Sequence, residues 1–269
     1  MTASTAQHER TRFGRALRAR PLLSAVGLEL FFDVLVIVGA LLLGVLLPGL
    51  PGYSVKGPSQ SLVLVAITAV VLLALVAGMR WWRFAGFTPP AEWRDLRLYL
   101  LPIALLAIPL LAGVQRLDLS VIGLLALAYA LTAVFEEGMW RGITVGLLRP
   151  LGVWPAVLIS SLLFGLGHLG NSLLRGFSAM ILLQAFGAMV QGIGFAALRL
   201  RTNTIWPIIG IHLLHDLFLH IGRLPIPLAD AVSATIVAAY GIYLLRAGRG
   251  EDPRRSPLRT TRDRLSAAR

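Results

Sequence analysis

Long apolar runs separated by short polar segments constrain this chain more than any other feature of its sequence. Crossing the hydrocarbon core of a bilayer takes about 20 apolar residues in a helix. The runs lie near residues 28–49, 60–79, 97–114, 119–147, 153–170, 177–198, 204–221 and 227–245. Hydrophobic residues make up 57% of the chain and charged residues only 14%, whereas soluble domains carry about 25% charged residues. The pattern predicts an all-α fold, a polytopic membrane helix bundle of about eight transmembrane helices. The run at 97–114 is the weakest candidate for a transmembrane helix, because Pro102 and Pro109 interrupt it.

The distribution of positive charge predicts the orientation of this bundle. With eight helices, 21 of the 25 Lys and Arg residues fall on the side of the two termini, and only Lys56, Arg116, Arg175 and Arg223 fall on the other. Lys and Arg concentrate in cytoplasmic segments, so both termini are expected in the cytoplasm of a multi-pass protein of the cell membrane. The Ala-, Leu- and Arg-rich composition is typical of a bacterial chain.

The same charge pattern predicts three regions. Residues 1–21 form a basic cytoplasmic tail, residues 22–246 form the membrane-embedded domain, and residues 247–269 form a second basic cytoplasmic tail. The last segment is polar and rich in Arg and Pro, so we expect it to be disordered and close to anionic lipid headgroups. The net charge of +12 therefore needs no nucleic acid partner, and no feature of the sequence indicates an oligomeric state.

The stretch ALTAVFEEGMWRG, residues 130–142, places three charges where burial is costly. An ionisable side chain at the bilayer centre costs at least about 2.5–3.5 kcal/mol, so each needs a partner or a task. Glu137 and Arg141 are four residues apart and can pair on one helix face, which indicates a structural role. Glu136 points about 100° away on an α-helix of 3.6 residues per turn, so it should face the bundle interior.

Three histidines are candidate partners for Glu136. If the helix of Glu136 stays α-helical to Arg149, helix rise puts Glu136 about 20 Å, His168 about 21 Å and His212 about 17 Å from the cytoplasmic end. The three residues therefore lie at nearly one level. Asp216 follows His212 by one turn and shares its face, whereas His215 is expected to play a supporting role. Phe164 lies one turn before His168 and should pack against it.

A carboxylate facing an imidazole can hold a water and take its proton. The second pair, His212 and Asp216, could stabilise an oxyanion, donate a proton to a leaving amine or complete a metal site. No organic cofactor is indicated, but a divalent metal such as zinc stays open, since zinc takes His and carboxylate ligands. The candidate ligands are Glu136, His168, His212 and Asp216. The chain has no Cys, which excludes a thiol nucleophile and thiolate metal sites.

Three motifs together resemble those of the CPBP intramembrane proteases, a family that includes the type II CAAX prenyl endopeptidases. They are E-E-x-x-x-R at Glu136–Arg141, F-x-x-x-H at Phe164–His168 and H-x-x-x-D at His212–Asp216. The resemblance implies that Glu136 and His168 activate the attacking water and that His212 and Asp216 hold the oxyanion or a metal. The family often has Asn at the last position, so this chain departs from the pattern at Asp216.

Two functions from different classes remain after the sequence is considered. The first is an intramembrane endopeptidase that acts on a membrane-associated peptide or protein, or on a lipidated tail. The second is a non-proteolytic membrane protein of the same fold, either a proton-coupled transporter or a scaffold, because buried Glu and His also serve as proton relays. No internal repeat of the kind seen in many transporters is evident, and the complete set of motif residues favours the enzyme.

Overall fold

The structure, a computed structural model, describes residues 12–247. The predicted disordered tail and most of the predicted N-terminal tail lie outside the described residues. Within them the chain is helical, with one isolated bridge between Val114 and Gly222. The α-helices are α1 Arg12–Ala19, α2 Pro21–Leu46, α3 Gln60–Gly78, α4 Leu100–Leu105, α5 Leu119–Glu136, α6 Val145–Leu148, α7 Val153–Leu169, α8 Asn171–Arg175, α9 Ala179–Thr202, α10 Trp206–Ile221 and α11 Ile226–Ala247. Short 3₁₀ segments cover Trp93–Tyr99, Ile108–Leu110 and Arg149–Leu151, and a π-helix covers Glu137–Thr144.

Six helical stretches within residues 12–247 are long and apolar enough to cross a membrane. They are Pro21–Leu46, Gln60–Gly78, Leu119–Leu151, Val153–Leu174, Ala179–Thr202 and Ile226–Ala247. The helix α10 is apolar but has only 16 residues. The predicted all-α membrane fold is therefore confirmed for the described residues. The count of eight spans and the cytoplasmic position of both termini stay predictions.

The run at 97–114, the weakest of the predicted spans, is broken into short helical pieces. Proline removes a backbone donor and clashes with the preceding turn, and both Pro102 and Pro109 lie in these pieces. At one end the N–H of Ala91 donates to the carbonyl of Thr202 at 3.0 Å, and at the other the N–H of Gln115 donates to the carbonyl of Ile221 at 2.7 Å. The broken segment packs against α9 through Trp93–Tyr99, against α11 through α4, and against both α10 and α11 through Ile108–Leu110.

Capping residues fix where two of the long helices begin. The hydroxyl of Ser59 accepts a hydrogen bond from the N–H of Leu62 at the start of α3, and Ser178 does the same for Ile181 at the start of α9. Serine is a preferred N-cap because its oxygen satisfies a backbone donor that the helix leaves free. At the other end of α9, Asn203 adopts the left-handed conformation (φ 57°) typical of a helix C-terminus.

The helix α9 is central to the C-terminal half of the bundle, where it packs against both α7 and α11. A Cβ atom on Gly194 would overlap Val237, and one on Gly241 would overlap the backbone of Gly194. The backbones of α9 and α11 therefore touch directly, as is typical of membrane helices that pack through small residues. This close contact fixes α11 beside the helices that carry the candidate catalytic residues.

Candidate active site

Three parts of the bundle carry the candidate catalytic residues. Glu136 is the last residue of α5, and Glu137 and Arg141 lie in the π-helix that follows. His168 lies near the end of α7, and α10 carries His212, His215 and Asp216. The assumption that α5 continues as an α-helix to Arg149 is wrong, because the chain changes to π-helical hydrogen bonding at Glu137. Single π-helical turns inside α-helices are frequent at functional sites.

The imidazole of His212 lies among three carboxylates. Its Nδ1 is 2.7 Å from Oε1 of Glu137, while its Nε2 is 3.6 Å from Oε2 of Glu136 and 3.5 Å from Oδ2 of Asp216. His212 is 5% exposed, so these contacts replace water around the ring. Because a carboxylate oxygen accepts hydrogen bonds, Nδ1 donates to Glu137 and Nε2 is directed at Glu136 and Asp216.

Glu137 links this imidazole to Arg141. Oε2 of Glu137 lies 3.2 Å from Nε of Arg141, and both side chains are almost completely buried. The guanidinium of Arg141 also lies 3.9 Å from the ring centre of Phe164, a distance at which a cation is attracted to an aromatic face. The pair expected from the i, i+4 spacing is therefore present. The contact between Glu137 and His212 is an addition that the sequence did not indicate.

His168 is held by the backbone of its own helix and by Phe164. Nδ1 of His168 is 2.8 Å from the carbonyl oxygen of Phe164, so Nδ1–H donates and Nε2 is left for another partner. The two rings meet edge to face at 87°, with centres 4.8 Å apart. Phe164 thus packs against His168 as expected, and the same ring lies under Arg141.

All four candidate catalytic residues line one cavity of about 660 Å³, which we call the His212 cavity. A second cavity of about 650 Å³ also reaches Glu136 and His168 but is lined by Asp33 instead of His212, and we call it the Asp33 cavity. Six residues border both cavities: Tyr53, Ser61, Val65, Thr132, Glu136 and His168. Glu136 and His168 therefore lie where the two cavities meet.

Several further polar residues border these cavities but are not part of the three sequence motifs. Nε2 of His215 lies 3.2 Å from Oδ1 of Asp230 on α11. His215, which is expected to play a supporting role, therefore has Asp230 as a hydrogen-bond partner. Nδ1 of His220 lies 2.6 Å from the hydroxyl of Tyr129, and its Nε2 lies 3.2 Å from the hydroxyl of Tyr53. Sequence spacing does not indicate these partners, because each belongs to a different helix or loop.

Glu29 on α2 is the residue of this region that sequence reasoning most clearly missed. It is 5% exposed, and its Oε2 accepts a hydrogen bond of 2.7 Å from the indole N–H of Trp140 in the π-helix. Trp140 in turn packs against Phe164, with ring centres 4.9 Å apart. The cost of burying a charge, which singles out Glu136, applies equally to Glu29 and Asp33 within the first apolar run. That argument would have found both.

The donor set was also tested for a metal site. Within the part of the chain that the structure describes, no three His, Asp or Glu side chains are placed so that they could hold one metal ion. The carboxylate oxygens of Asp216 and Glu136 lie 3.5 and 3.6 Å from Nε2 of His212. The chemistry below is derived from the side chains alone.

Comparison with protein families finds a match to part of the chain. The family described as Rce1-like, type II CAAX prenyl endopeptidase Rce1-like, matches residues 118–218. No curated protein and no solved structure matches the chain. The matched residues contain all three motifs, from Glu136 to Asp216, together with α5, the π-helix, α7 and most of α10. The match confirms the resemblance to the CPBP intramembrane proteases, and it shows that residues 118–218 of this chain are similar to the Rce1-like family.

Proposed function

We propose that this protein is an intramembrane endopeptidase that hydrolyses a peptide bond in a membrane-associated or lipidated substrate. One observation carries the proposal: Glu136, His168, His212 and Asp216 come from three separate helices and line a single cavity. The family match supports a peptidase over the transporter and the scaffold. The cavity volume of about 660 Å³ suits a short stretch of extended peptide, since binding cavities typically measure about 300–1,000 Å³.

Glu136 and His168 are suited to activating the attacking water. Both border the His212 cavity and the Asp33 cavity, so a water between them would face the substrate on one side. The carboxylate of Glu136 takes a proton from this water, Nε2 of His168 accepts its second hydrogen bond, and the water oxygen bonds to the carbonyl carbon. A positioned general base typically contributes about 10²–10⁴-fold to the rate.

His212 is suited to stabilising the oxyanion that this attack creates. Nδ1–H of His212 is held by Glu137 at 2.7 Å, and its Nε2 is directed into the cavity beside Asp216. A protonated Nε2 donates to the carbonyl oxygen as that oxygen becomes negative, which is the role of an oxyanion hole. When the C–N bond breaks, the proton held by Glu136 passes to the leaving amine. This proton completes the products, one carboxylic acid and one amine.

The test is hydrolysis by the purified full chain in proteoliposomes. The probes are an internally quenched farnesylated peptide ending in a CAAX-type sequence and an N-palmitoylated peptide without that ending. We expect cleavage of at least one probe by the wild type and none by Glu136→Gln, with fragment masses that locate the bond. The matched control is Glu92→Gln, a carboxylate paired with Arg94 at the surface. Equal cleavage by wild type and Glu136→Gln, or by neither, would contradict the proposal.

A further inference from the structure

Both cavities open at the same end of the bundle. Loop 47–59 contributes to each of them, and the other lining residues of the His212 cavity come mainly from α5, from the first halves of α9 and α11 and from the second half of α10. These elements meet the connecting segments 47–59, 111–118, 170–178 (which contains α8) and 222–225, and we call these segments the loops of the open end. No described residue of loops 79–92, 149–152 or 202–205, the closed end, lines either cavity.

The two ends differ in positive charge. Among the loops of the open end, the Lys and Arg residues are Lys56, Arg116, Arg175 and Arg223. The other 21 of the 25 lie in the tails, in loops of the closed end or on helices next to it, apart from Arg141 in the site. Since Lys and Arg concentrate on the cytoplasmic side, the closed end is the cytoplasmic one.

Contacts of the first and last described helices agree with this assignment. The guanidinium of Arg18 on α1 lies 4.5 Å from the ring centre of Phe84 and 5.2 Å from that of Trp81, both in a closed-end loop. The helix α11 begins next to the open end and finishes at Ala247, and it packs along α9 in between. The first and last described helices therefore have Arg18 and Ala247 at the closed end.

The mouth of the His212 cavity is apolar and reaches the lipid-facing surface. Met180, Leu183 and Phe186 on α9 line this cavity, and they are 55%, 54% and 62% exposed. Polar lining comes from Tyr53, Ser54 and other residues of loop 47–59. A peptide held in the bilayer by a lipid or an apolar segment could keep that anchor beside α9 while its polar part enters between α9 and the loop.

We infer that the substrate reaches the catalytic residues from the non-cytoplasmic side of the membrane. This inference rests on the proposed function for the existence of a substrate. The substrate is then a translocated peptide that is anchored in the outer leaflet by an acyl chain or an apolar segment. Access from this side excludes prenylated tails of cytoplasmic proteins, because these tails lie against the opposite leaflet.

The first test of this access needs no enzymatic activity. The chain has no Cys, so single cysteines can be labelled with a membrane-impermeant thiol reagent in intact cells and in inside-out vesicles. Ala128→Cys places the thiol in the His212 cavity, and Leu127→Cys, at a position that is 50% exposed and does not line either cavity, is its lipid-facing control. Because thiolates form in water and not in hydrocarbon, we expect Ala128→Cys in intact cells to react at least about 10-fold faster than Leu127→Cys. Labelling of Ala128→Cys only in inside-out vesicles would overturn the inference.

The second test locates the side of cleavage. An N-palmitoylated, internally quenched peptide with a charged sequence that cannot cross the membrane is added to spheroplasts and to inside-out vesicles carrying wild type or Glu136→Gln. We expect cleavage dependent on Glu136 in spheroplasts alone, and cleavage in inside-out vesicles alone would overturn the inference. Absence of cleavage in both preparations, together with Ala128→Cys labelled from outside, would refute the proposed peptidase and leave the access route established.

Discussion

Oε1 of Glu137 lies 2.7 Å from Nδ1 of His212, while its other oxygen lies 3.2 Å from Nε of Arg141. One buried carboxylate therefore joins the π-helix to the imidazole that faces the cavity. The sequence alone assigns Glu137 a structural role, because its spacing indicates Arg141 as the partner. The contact with His212 adds a role in orienting that ring.

Glu137→Gln separates these two roles. The amide keeps the volume of Glu137 but carries no charge, so Nδ1 of His212 is no longer held by an ionic partner. We expect kcat to fall on the order of 10²-fold, the typical effect of displacing a catalytic group by about 1 Å, with little change in KM. Steady-state kinetics below the unfolding temperature of the variant test this. An unchanged kcat with a lower Tm would show that Glu137 acts only on stability.

Glu136→Gln and His168→Ala should each abolish measurable hydrolysis while the protein stays folded and inserted. Both residues border both cavities, and loss of a general base costs about 10²–10⁴-fold in rate. Cleavage of the farnesylated and palmitoylated peptides gives the activity, and the elution profile in detergent gives the folded state. Glu92→Gln is the control. Turnover close to that of wild type by either variant would remove the proposed site.

Arg141→Ala should destabilise the protein, because it leaves Glu137 buried without the cation that faces its second oxygen, while His212 stays at the first. Removing one member of a buried ion pair costs on the order of 3–5 kcal/mol. The double variant Glu137→Leu/Arg141→Leu should recover part of the stability but none of the activity, since His212 also loses its contact. Thermal unfolding of the single and double variants in detergent measures this. A double variant no more stable than Arg141→Ala would show that the two charges do not stabilise each other.

The candidate catalytic residues of the site could be predicted from the sequence of this membrane protein. Glu136, His168, His212 and Asp216 stand out because polar residues in apolar runs need a reason, and the structure places them around one cavity. Helix rise predicted their shared level even though the chain turns π-helical after Glu136. The switch itself could not be predicted, because the spacing of polar and apolar residues does not distinguish α-helical from π-helical hydrogen bonding over so short a segment.

Partners that are distant in sequence could not be predicted either. Glu29 and Trp140 are separated by 111 residues, and His215 meets Asp230 on the next helix. Helical periodicity states which residues share a face, but which helix lies opposite is decided by tertiary packing. The sequence is sufficient to identify Glu29 as a charged residue in an apolar run. It does not predict the hydrogen bond of Glu29 to Trp140.

The broken segment between Trp93 and Val114 decides how many times the chain crosses the membrane. The residues that flank it bond to Thr202, the last residue of α9, and to Ile221, the last residue of α10. Because Thr202 lies at the closed end and Ile221 next to the open end, we expect the segment to cross the membrane and bring the total to eight. Trp93→Cys and Arg116→Cys should then be labelled by an impermeant thiol reagent from opposite sides, with Trp93→Cys on the cytoplasmic side. Lys56→Cys should be labelled from the same side as Arg116→Cys. Labelling of positions 93 and 116 from one side would show that the segment does not cross, and labelling of position 56 from the cytoplasm would reverse the orientation.

Asp216 is the position where this chain departs from the Asn that is common in the family. Replacing Asp216 distinguishes a metal-free from a metal-dependent reaction. Oδ2 of Asp216 lies 3.5 Å from Nε2 of His212, and the described residues contain no three-donor metal set. If Asp216 orients His212 or donates a hydrogen bond, Asp216→Asn should keep or raise the activity, because an amide donates at every pH.

If Asp216 is instead a metal ligand, Asp216→Asn should lose both activity and bound metal, since an amide oxygen is a weaker ligand than a carboxylate. The measurement is peptide cleavage by Asp216→Asn beside the metal content of purified wild type and variant, with Asp230→Asn as the matched carboxylate control. We expect an active Asp216→Asn and no stoichiometric metal in either protein. Stoichiometric zinc in the wild type, lost together with activity in Asp216→Asn and retained in Asp230→Asn, would establish the metal-dependent reaction instead.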